Sequence, residues 1–437
     1  MLSRPISRNF TIIWVFILAL LYLLFCRSSS ISGNYFQGNF QPSCDSLSGL
    51  EDLFVILRTG ATEAPKKLPV HFATTLRCVP HYVIYSDYEE DIEGHHVYNS
   101  LDEVNPDIIA SHPDFEYYRR LQAGGREAFT AEEIAQWAAV KNTNSGRDSP
   151  GWKLDKWKFL PVAEKAFAQR PDAKWYIFIE SDTYMLWQTL LEWLSKFDSS
   201  KPHYLGMQMQ IGDVVFAYGG GGFAISNPAM QKVVAQRQAN LKLYDDFTAV
   251  HWAGDCVLGK ALADAGMGLL WSFPTLAGDQ PGDIDFNSTF GGQDKKPWCY
   301  YATSYHHMQP AEYTRFMKFE EAWNQKNTFR LRHRDVFRHY ILPQLSPERV
   351  DWDNLSENDQ GPIASFEECR KACENQRDCV QFSLSGNSCK TSATPKLGNH
   401  VSENSEESVR CGWILERVED YAQSMDEYCS HQTWILP

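Results

Sequence analysis

An apolar run near the N-terminus, Phe10–Cys26, constrains the topology of the whole 437-residue chain. Arg4 and Arg8 precede the run and Arg27 follows it. About 20 apolar residues span a bilayer, and this slightly shorter run can still do so because flanking arginine side chains reach back to the lipid headgroups. A cleaved signal peptide is the alternative, but no A-x-A-type cleavage site follows. We therefore predict an uncleaved transmembrane signal anchor after a cytosolic tail at residues 1–9.

The charges around this run orient the rest of the chain. Positive residues on the short N-terminal side favour a cytosolic N-terminus, so everything after the anchor is expected to be lumenal or extracellular. Of the 11 cysteines only Cys26 lies in the run, and the others fall where disulfides persist. Sequons begin at Asn287 and Asn354 in the same region. The net charge of −14, without a Lys/Arg block, argues against nucleic acid as a partner.

Strand and helix patterns alternate over residues 51–345. The runs Phe54–Leu57, Tyr82–Tyr85 and Trp175–Ile179 are short, apolar and rich in β-branched and aromatic residues, which predicts buried strands. Helical spacing dominates between them, including an amphipathic helix over Trp152–Arg170. This alternation predicts an α/β domain with a mixed, mainly parallel sheet flanked by helices.

The segments before and after this domain differ from it in amino-acid composition. Residues 27–50 are rich in Ser, Gly, Asn and Gln and are predicted to form a flexible stem. Residues 350–437 are predicted to form a small, disulfide-rich α+β domain, because a domain with so little core usually needs covalent cross-links. A zinc site is the alternative, but paired C-x₂-C spacing is missing. The cysteines of this region are Cys369, Cys373, Cys379, Cys389, Cys411 and Cys429.

Two carboxylates follow the third predicted strand directly. Glu180 and Asp182 lie two residues apart at its end. In open α/β sheets ligands bind outside the carboxyl ends of the strands, and carboxylate oxygens suit Mg²⁺ or Mn²⁺. A surface turn with solvated acids is the alternative.

Further segments could serve the same site. The glycine run 219–222 can bring backbone close to a ligand, or can be a flexible loop. Asp255, at the start of a predicted helix, can act as a general base or simply cap the helix. His306 and His307 can complete a metal shell or serve a structural role.

Taken in order, these motifs resemble the fringe-like and core 1 β-1,3-galactosyltransferase-like family, glycosyltransferase family 31, of fungal type. The strand ending in Glu180-Ser181-Asp182-Thr183-Tyr184 is similar to the family's Asp-Asp-Asp-Thr-Tyr, its version of the DxD motif. The run from Gly221 to Ser226 is similar to its Gly-Ala-Gly-Tyr-x-x-Ser. The segment from Gly254 to Gly259 resembles Glu-Asp-x-x-x-Gly, and Ser304-Tyr305-His306 resembles Ser-Phe-His.

The resemblance implies a GT-A fold, a UDP-sugar donor and Mn²⁺ (or Mg²⁺). It implies that Asp182 and His306, with Glu180 beside them, bind the metal and that Asp255 is the catalytic base. It also implies residues that bind the donor, which we place at Thr59, Asp87, Lys156, Ser181, Gly221 and Gly222. Two positions depart from the family pattern: Ser181 interrupts the acidic motif, and Gly254 replaces an acidic residue.

The tail, through Phe366-Glu-Glu-Cys369-Arg-Lys-Ala-Cys373, resembles a PAN/Apple domain, a module that binds protein or carbohydrate. The combined expectation is a type II membrane hexosyltransferase of the Golgi or another secretory membrane. It would be inverting and would transfer galactose or an N-acetylhexosamine from a UDP-sugar to a glycan or glycoprotein in β-1,3 linkage. The alternative is a non-catalytic binding protein that uses the PAN/Apple-like module.

Overall fold

The structure, a computed structural model, describes residue 44 and residues 47–139, 149–290, 295–401, 408–429 and 433–437. The predicted cytosolic tail and anchor lie outside these residues, as does most of the predicted stem. Within the described ranges, none of the helices has the length and apolar character needed to cross a membrane.

The core of the molecule is a mixed sheet whose three central strands are parallel. They are β1 (Leu53–Arg58), β2 (Tyr82–Ser86) and β5 (Trp175–Glu180), and β1 pairs with both of the others. Every residue of β1 is buried because helices cover both faces of the sheet, which explains its continuous apolar sequence. The three strands predicted from the sequence are confirmed.

The remaining strands of the central sheet are β3 (Glu90–Ile92), β4 (His95–Asn99), β7 (Tyr204–Gly206), β10 (Phe223–Ser226) and β11 (Leu270–Trp271). In the described residues the sheet thus has eight strands, in the order β11-β7-β10-β5-β1-β2-β4-β3. Strand β10 runs antiparallel to β5, so the glycine run that precedes β10 meets the end of β5 where Glu180 lies. This is the predicted α/β sheet, mainly parallel and flanked by helices.

Helices account for most of the connections between these strands. The predicted helix Trp152–Arg170 is instead two helices, because Pro161 lacks the N–H that would continue the first helix and is tolerated only in a first turn. The helices are α1 (Ala64–Ala73), α2 (Pro106–Ser111), α3 (Glu116–Gly124), α4 (Ala131–Ala139), α5 (Pro150–Asp155), α6 (Phe159–Gln169), α7 (Trp187–Leu194), α8 (Asn227–Ala239), α9 (Leu241–Val250), α10 (Gly254–Asp264), α11 (Pro310–Lys326), α12 (His333–Val336), α13 (Phe366–Glu374) and α14 (Leu415–Tyr428).

Smaller elements complete the described part of the chain. Short helical turns cover Leu50–Asp52, Pro113–Phe115, Gly125–Ala128, Pro297–Cys299, Phe337–Ile341 and Leu342–Gln344. Three two-stranded sheets pair β6 (Tyr184–Met185) with β12 (Ser304–Tyr305), β8 (Gln208–Ile211) with β9 (Val214–Ala217), and β14 (Trp352–Asp353) with β18 (Asn399–His400). The β6–β12 pair fixes the position of the segment that carries His306 next to the segment that carries Asp182.

The C-terminal region has a sheet of its own, formed by β13 (Arg349–Val350), β15 (Asn358–Pro362), β16 (Gln381–Ser385), β17 (Ser388–Ser392) and β19 (Val409–Trp413). Its strand order is β13-β19-β16-β17-β15, and α13 packs against it. The disulfide Cys369–Cys389 links α13 to β17, and the disulfide Cys373–Cys379 links α13 to the segment that leads into β16.

Two expectations about this region are wrong. Cys411 is a free, buried thiol rather than a disulfide partner. The sequon residue Asn354 is buried and donates hydrogen bonds to the carbonyl oxygen of Phe382, so it leaves no room for a glycan.

The last cysteine of the region bonds outside it. Cys429 forms its disulfide with Cys299, and Trp298 next to it donates a hydrogen bond to Asp426 of α14. Helix α14 therefore packs on the preceding α/β region and shares one apolar cluster with it. The boundaries 51–345 and 350–437 stay a prediction.

Candidate active site

The turn after β5 places the predicted acidic motif at the edge of the sheet. Thr183 holds the turn because its hydroxyl accepts a hydrogen bond from the Glu180 N–H and donates one to the Gly220 carbonyl oxygen. Asp182 is only 6% exposed, so its carboxylate faces the protein rather than solvent. The alternative reading of this motif as a solvated surface turn does not hold for Asp182.

Asp182 meets two imidazoles. Nε2 of His306 lies 3.1 Å from Oδ1 of Asp182, and the Met308 N–H binds the Asp182 carbonyl oxygen. One ligand atom from each of Asp182, His306 and His307 lies within 4.8 Å of the others. His307 has a left-handed backbone (φ 58°), a strained conformation that is typical of functional sites. One carboxylate oxygen and two imidazole nitrogens are a donor set that fits a divalent metal cation.

The charges of these groups depend on one another. Burial alone would raise the pKa of Asp182, but the charges of His306 and Lys67 hold it well below its usual range. Burial opposes a charge on His306, yet Asp182 and Glu180 raise its pKa to about 10. Burial and the charge of His306 lower the pKa of His307 to about 4. His307 is therefore neutral at pH 7, the form that binds metals, whereas His306 must give up a proton to do so.

Helix α1 supplies a row of polar groups that the sequence analysis did not select. Lys67 lies between Glu63 (2.8 Å) and Oδ2 of Asp182 (3.3 Å). Ser181 donates a hydrogen bond from its hydroxyl to Glu63, and its carbonyl oxygen accepts one from Nε2 of His71. The spacing 63, 67, 71 places all three on one face of a helix, which is the signal that could have identified them.

Glu180 points toward the metal-binding group but is engaged elsewhere. One oxygen of Glu180 is 2.6 Å from the Arg58 guanidinium, and the other is 3.7 Å from Nε2 of His306. Arg58 itself lies 3.5 Å above the ring of Phe159 and is buried. His307 rather than Glu180 thus completes the closest set of metal-binding atoms in the described residues.

Asp255 lies at the first turn of α10 and accepts two backbone hydrogen bonds. The Gly219 N–H binds its Oδ2 at 3.1 Å and the Cys256 N–H binds its Oδ1 at 2.9 Å. Although Asp255 keeps some exposure, desolvation by the surrounding protein raises its pKa to about 7, against the effect of the Gly219 hydrogen bond. A carboxyl group with this pKa is poised to take up a proton near neutral pH.

The glycine run lies between Asp255, the candidate base, and the candidate metal-binding group of Asp182, His306 and His307. Gly219 binds Asp255, and a Cβ at Gly219 would lie 2.9 Å from Oε1 of Glu180. A Cβ at Gly220 would overlap the ring of His306, and Gly222 has φ 73°. Side chains at Gly219 and Gly220 would push this turn away from Glu180 and His306. The glycine run is therefore a packed turn and not a flexible loop.

The predicted donor-binding residues divide into two groups. Buried Lys158 binds the Thr59 carbonyl oxygen at 3.2 Å and lies 3.4 Å from Asp87, at the ends of β1 and β2 beside the acidic motif. Lys156 does not contact the acidic motif. Its ammonium group is 2.8 Å from Asp114 and donates hydrogen bonds to the carbonyl oxygens of residues 249 and 251. Lys158, which the sequence analysis did not select, is thus the lysine at this end of the sheet.

The fold and this site define a class: a GT-A-type enzyme with acidic and imidazole groups at the edge of its sheet. A family model described as Fringe-like matches residues 48–270, just over half of the chain, and the chain belongs to this Fringe-like family. It is therefore a glycosyltransferase that acts on glycans and takes a sugar donor and a glycan acceptor. Asp182 and Asp255 fall inside the matched range, whereas His306 and His307 follow it.

Proposed function

We propose that the chain is an inverting, metal-dependent hexosyltransferase that uses a UDP-sugar and forms a β-linkage, of β-1,3 type, to a glycan or glycoprotein. The transferred sugar is galactose or an N-acetylhexosamine. The observation that carries the proposal is the glycine run, which binds Asp255 through Gly219 and packs Gly220 against His306. Such a contact sets a proton acceptor beside a group able to bind the cation of a diphosphate.

The charge balance supports a divalent cation as a ligand, and through it the diphosphate of a donor. Six carboxylates of the described residues outnumber three permanent cations and the protonated His306 in one network of ion pairs and neighbouring charges at this edge of the sheet. The permanent cations are Arg58, Lys67 and Lys158, and the carboxylates are Glu63, Asp87, Asp155, Glu180, Asp182 and Asp255. A divalent cation bound here would supply Lewis-acid stabilisation of the departing diphosphate.

Asp255 is placed to accept the proton that the acceptor hydroxyl loses during the transfer. Asp255 takes the proton from the acceptor hydroxyl while that oxygen bonds to the anomeric carbon and the bond from this carbon to the UDP oxygen breaks. Attack from the face opposite UDP inverts the anomeric centre. The Gly219 and Cys256 N–H groups hold the carboxylate in position for this role. Its raised pKa strengthens it as a base relative to an exposed aspartate.

We also propose the wider context that the sequence indicates. The chain would be a single-pass type II protein of the Golgi or another secretory membrane, anchored at residues 10–26, with its catalytic part in the lumen. Disulfides Cys369–Cys389 and Cys373–Cys379 suit such an oxidising compartment. They also support a PAN/Apple-like module at residues 350–437.

The test is a UDP-sugar panel with Mn²⁺ and glycan acceptors, read as UDP release and product linkage. Asp255→Asn should lower transfer by about 10²–10⁴-fold, the usual contribution of a positioned base. Asp246→Asn is the matched control, because Asp246 lies on α9 in an exposed ion pair with Lys242. If no donor releases UDP, or if Asp255→Asn keeps full activity, the proposal is wrong.

A further inference from the structure

Tyr218 is a polar side chain at the candidate metal-binding group that the proposed mechanism does not use. It follows strand β9 directly and precedes the glycine run. Its hydroxyl oxygen lies 3.4 Å from Nδ1 of His306, and its ring meets the His306 ring edge-on, with centroids 5.5 Å apart. Tyr218 therefore contacts the nitrogen of His306 that does not face Asp182.

The two nitrogens of His306 have different surroundings. Nε2 is 3.1 Å from Oδ1 of Asp182 and 3.7 Å from an oxygen of Glu180, so it lies beside the carboxylates that could share a cation. Among the described residues, the hydroxyl of Tyr218 is the hydrogen-bonding partner of Nδ1. His306 is only 2% exposed, so its ring is largely closed to solvent. The Tyr218 hydroxyl is therefore the group that can satisfy a proton on Nδ1.

Neighbouring contacts fix both rings. The Tyr218 N–H donates a hydrogen bond to the Met207 carbonyl oxygen at 2.8 Å. A Cβ at Gly278 would lie 2.9 Å from the Tyr218 ring, and a Cβ at Gly220 would overlap the His306 ring. These close approaches hold the hydroxyl and the imidazole in one relative orientation.

The position of the ring proton decides which nitrogen of a neutral histidine can bind a metal. With the proton on Nε2, His306 would donate to Asp182 and present no lone pair to a cation beside that carboxylate. With the proton on Nδ1, the Tyr218 hydroxyl accepts the hydrogen bond and the Nε2 lone pair faces Asp182. Metal-binding histidines generally donate their other N–H to an oxygen acceptor, which orients the ring and makes the ligand nitrogen more basic.

We propose that Tyr218 is the positioning residue of the metal site: its hydroxyl oxygen accepts the Nδ1–H of His306 and so directs Nε2 to a divalent cation. Tyr218 acts through His306 and is not itself a ligand. A phenol can accept this bond and keep its own proton, because its oxygen has lone pairs as well as an O–H. The inference rests on the proposed function, because it requires a cation beside Asp182.

The test follows Mn²⁺ binding to the whole protein by electron paramagnetic resonance. Tyr218→Phe keeps the ring and removes only the hydroxyl. It should weaken Mn²⁺ binding about 10- to 100-fold, the usual effect of removing such a hydrogen-bonding partner.

A second readout detects the hydrogen bond itself, by NMR of protein labelled with ¹⁵N-histidine and bound to Zn²⁺, a diamagnetic substitute for Mn²⁺. In the wild type, the Nδ1–H of His306 should give a downfield proton signal, assigned by its absence from His306→Gln. Tyr218→Phe should shift this signal upfield or lose it through exchange with solvent. A tyrosine that serves only to pack against His306 would leave the signal in place, because phenylalanine packs in the same way.

Tyr176→Phe is the matched control. Tyr176 lies near the start of β5, at the end of the strand opposite Glu180, and its hydroxyl donates to the Arg170 carbonyl oxygen at 2.6 Å. This variant also loses a tyrosine hydroxyl and a hydrogen bond, but it should keep the Mn²⁺ affinity and the Nδ1–H signal of the wild type.

Equal Mn²⁺ affinity in Tyr218→Phe and the wild type overturns the inference, as does an unchanged Nδ1–H signal. An equal loss of affinity in Tyr176→Phe also overturns it, because the effect would then follow from any lost tyrosine hydroxyl. Release of UDP from a sugar donor, measured on the same samples, separates this inference from the proposed function. A wild type that binds Mn²⁺ and releases UDP, with an affinity that Tyr218→Phe does not change, refutes only the role of Tyr218. A wild type that binds no Mn²⁺ refutes both.

Discussion

Replacing Gly254 by alanine tests why glycine precedes the candidate base, where the family pattern has an acidic residue. A Cβ at this position would lie 2.7 Å from the Cα of Lys156 and would overlap the Phe159 ring. Neither neighbour can rotate away, because one atom is backbone and the ring is buried beneath Arg58. Overpacking of this kind costs about 1–3 kcal/mol. Glycine is thus required by the close approach of α10 to the segment between α5 and α6.

The assay is urea denaturation of Gly254→Ala, and the transition should shift to lower urea by that free energy. Gly151→Ala is the control, because Gly151 is also helical but has nothing within 4 Å of the added Cβ. Its stability should be unchanged or higher by up to about 1 kcal/mol, the helix propensity difference. If Gly254→Ala is as stable as the wild type, the steric explanation is refuted.

Three other predictions follow from the site and the disulfides. In its proposed role as base Asp255 must be ionised, and its pKa is raised to about 7, so we expect kcat/KM to fall about tenfold per pH unit below that value. A pH profile of kcat/KM that is flat from 5 to 8 contradicts this prediction. The ammonium group of Lys67 lies 3.3 Å from Asp182 and would compete with a metal ion for this carboxylate. Lys67→Met should therefore tighten Mn²⁺ binding at least tenfold in a titration, and weaker Mn²⁺ binding would refute this competition. Cys299→Ser opens the link to Cys429 across 130 residues and should lower the free energy of unfolding by about 2–5 kcal/mol in chemical denaturation, and an unchanged value contradicts a stabilising cross-link.

The strands that carry the candidate site could be predicted from the sequence, because each is encoded by a short, continuous pattern of residues. Continuous apolar runs identified β1, β2 and β5, since strands buried on both faces need apolar side chains throughout. Asp182 could be selected because it follows β5 directly, at the edge of the sheet, and Asp255 because it lies at the start of a predicted helix. Their environments, which set the pKa values, depend on residues distant in sequence and could not be predicted.

The missed residues share a physical cause. Lys67 reaches the site from α1, and Lys158 reaches it from the turn between α5 and α6. Both positions are defined only by packing, and an isolated lysine carries no signal of its own. The sequence names His307 together with His306 as a possible metal ligand, but the position of the His307 side chain depends on a left-handed backbone that sequence does not reveal. The disulfide of Cys429 joins residues 130 apart, a pairing that spacing alone cannot select.

Binding of a cation by Asp182 and its histidines is tested most directly by Mn²⁺ binding, measured by electron paramagnetic resonance with and without UDP. We expect one Mn²⁺ per chain in the wild type, tighter binding with UDP, and at least a hundredfold weaker binding in Asp182→Ala. Asp198→Ala, a change at an exposed acid, should bind as the wild type does. Equal Mn²⁺ affinity in Asp182→Ala and the wild type would contradict the claim that Asp182 and its histidines hold the cation.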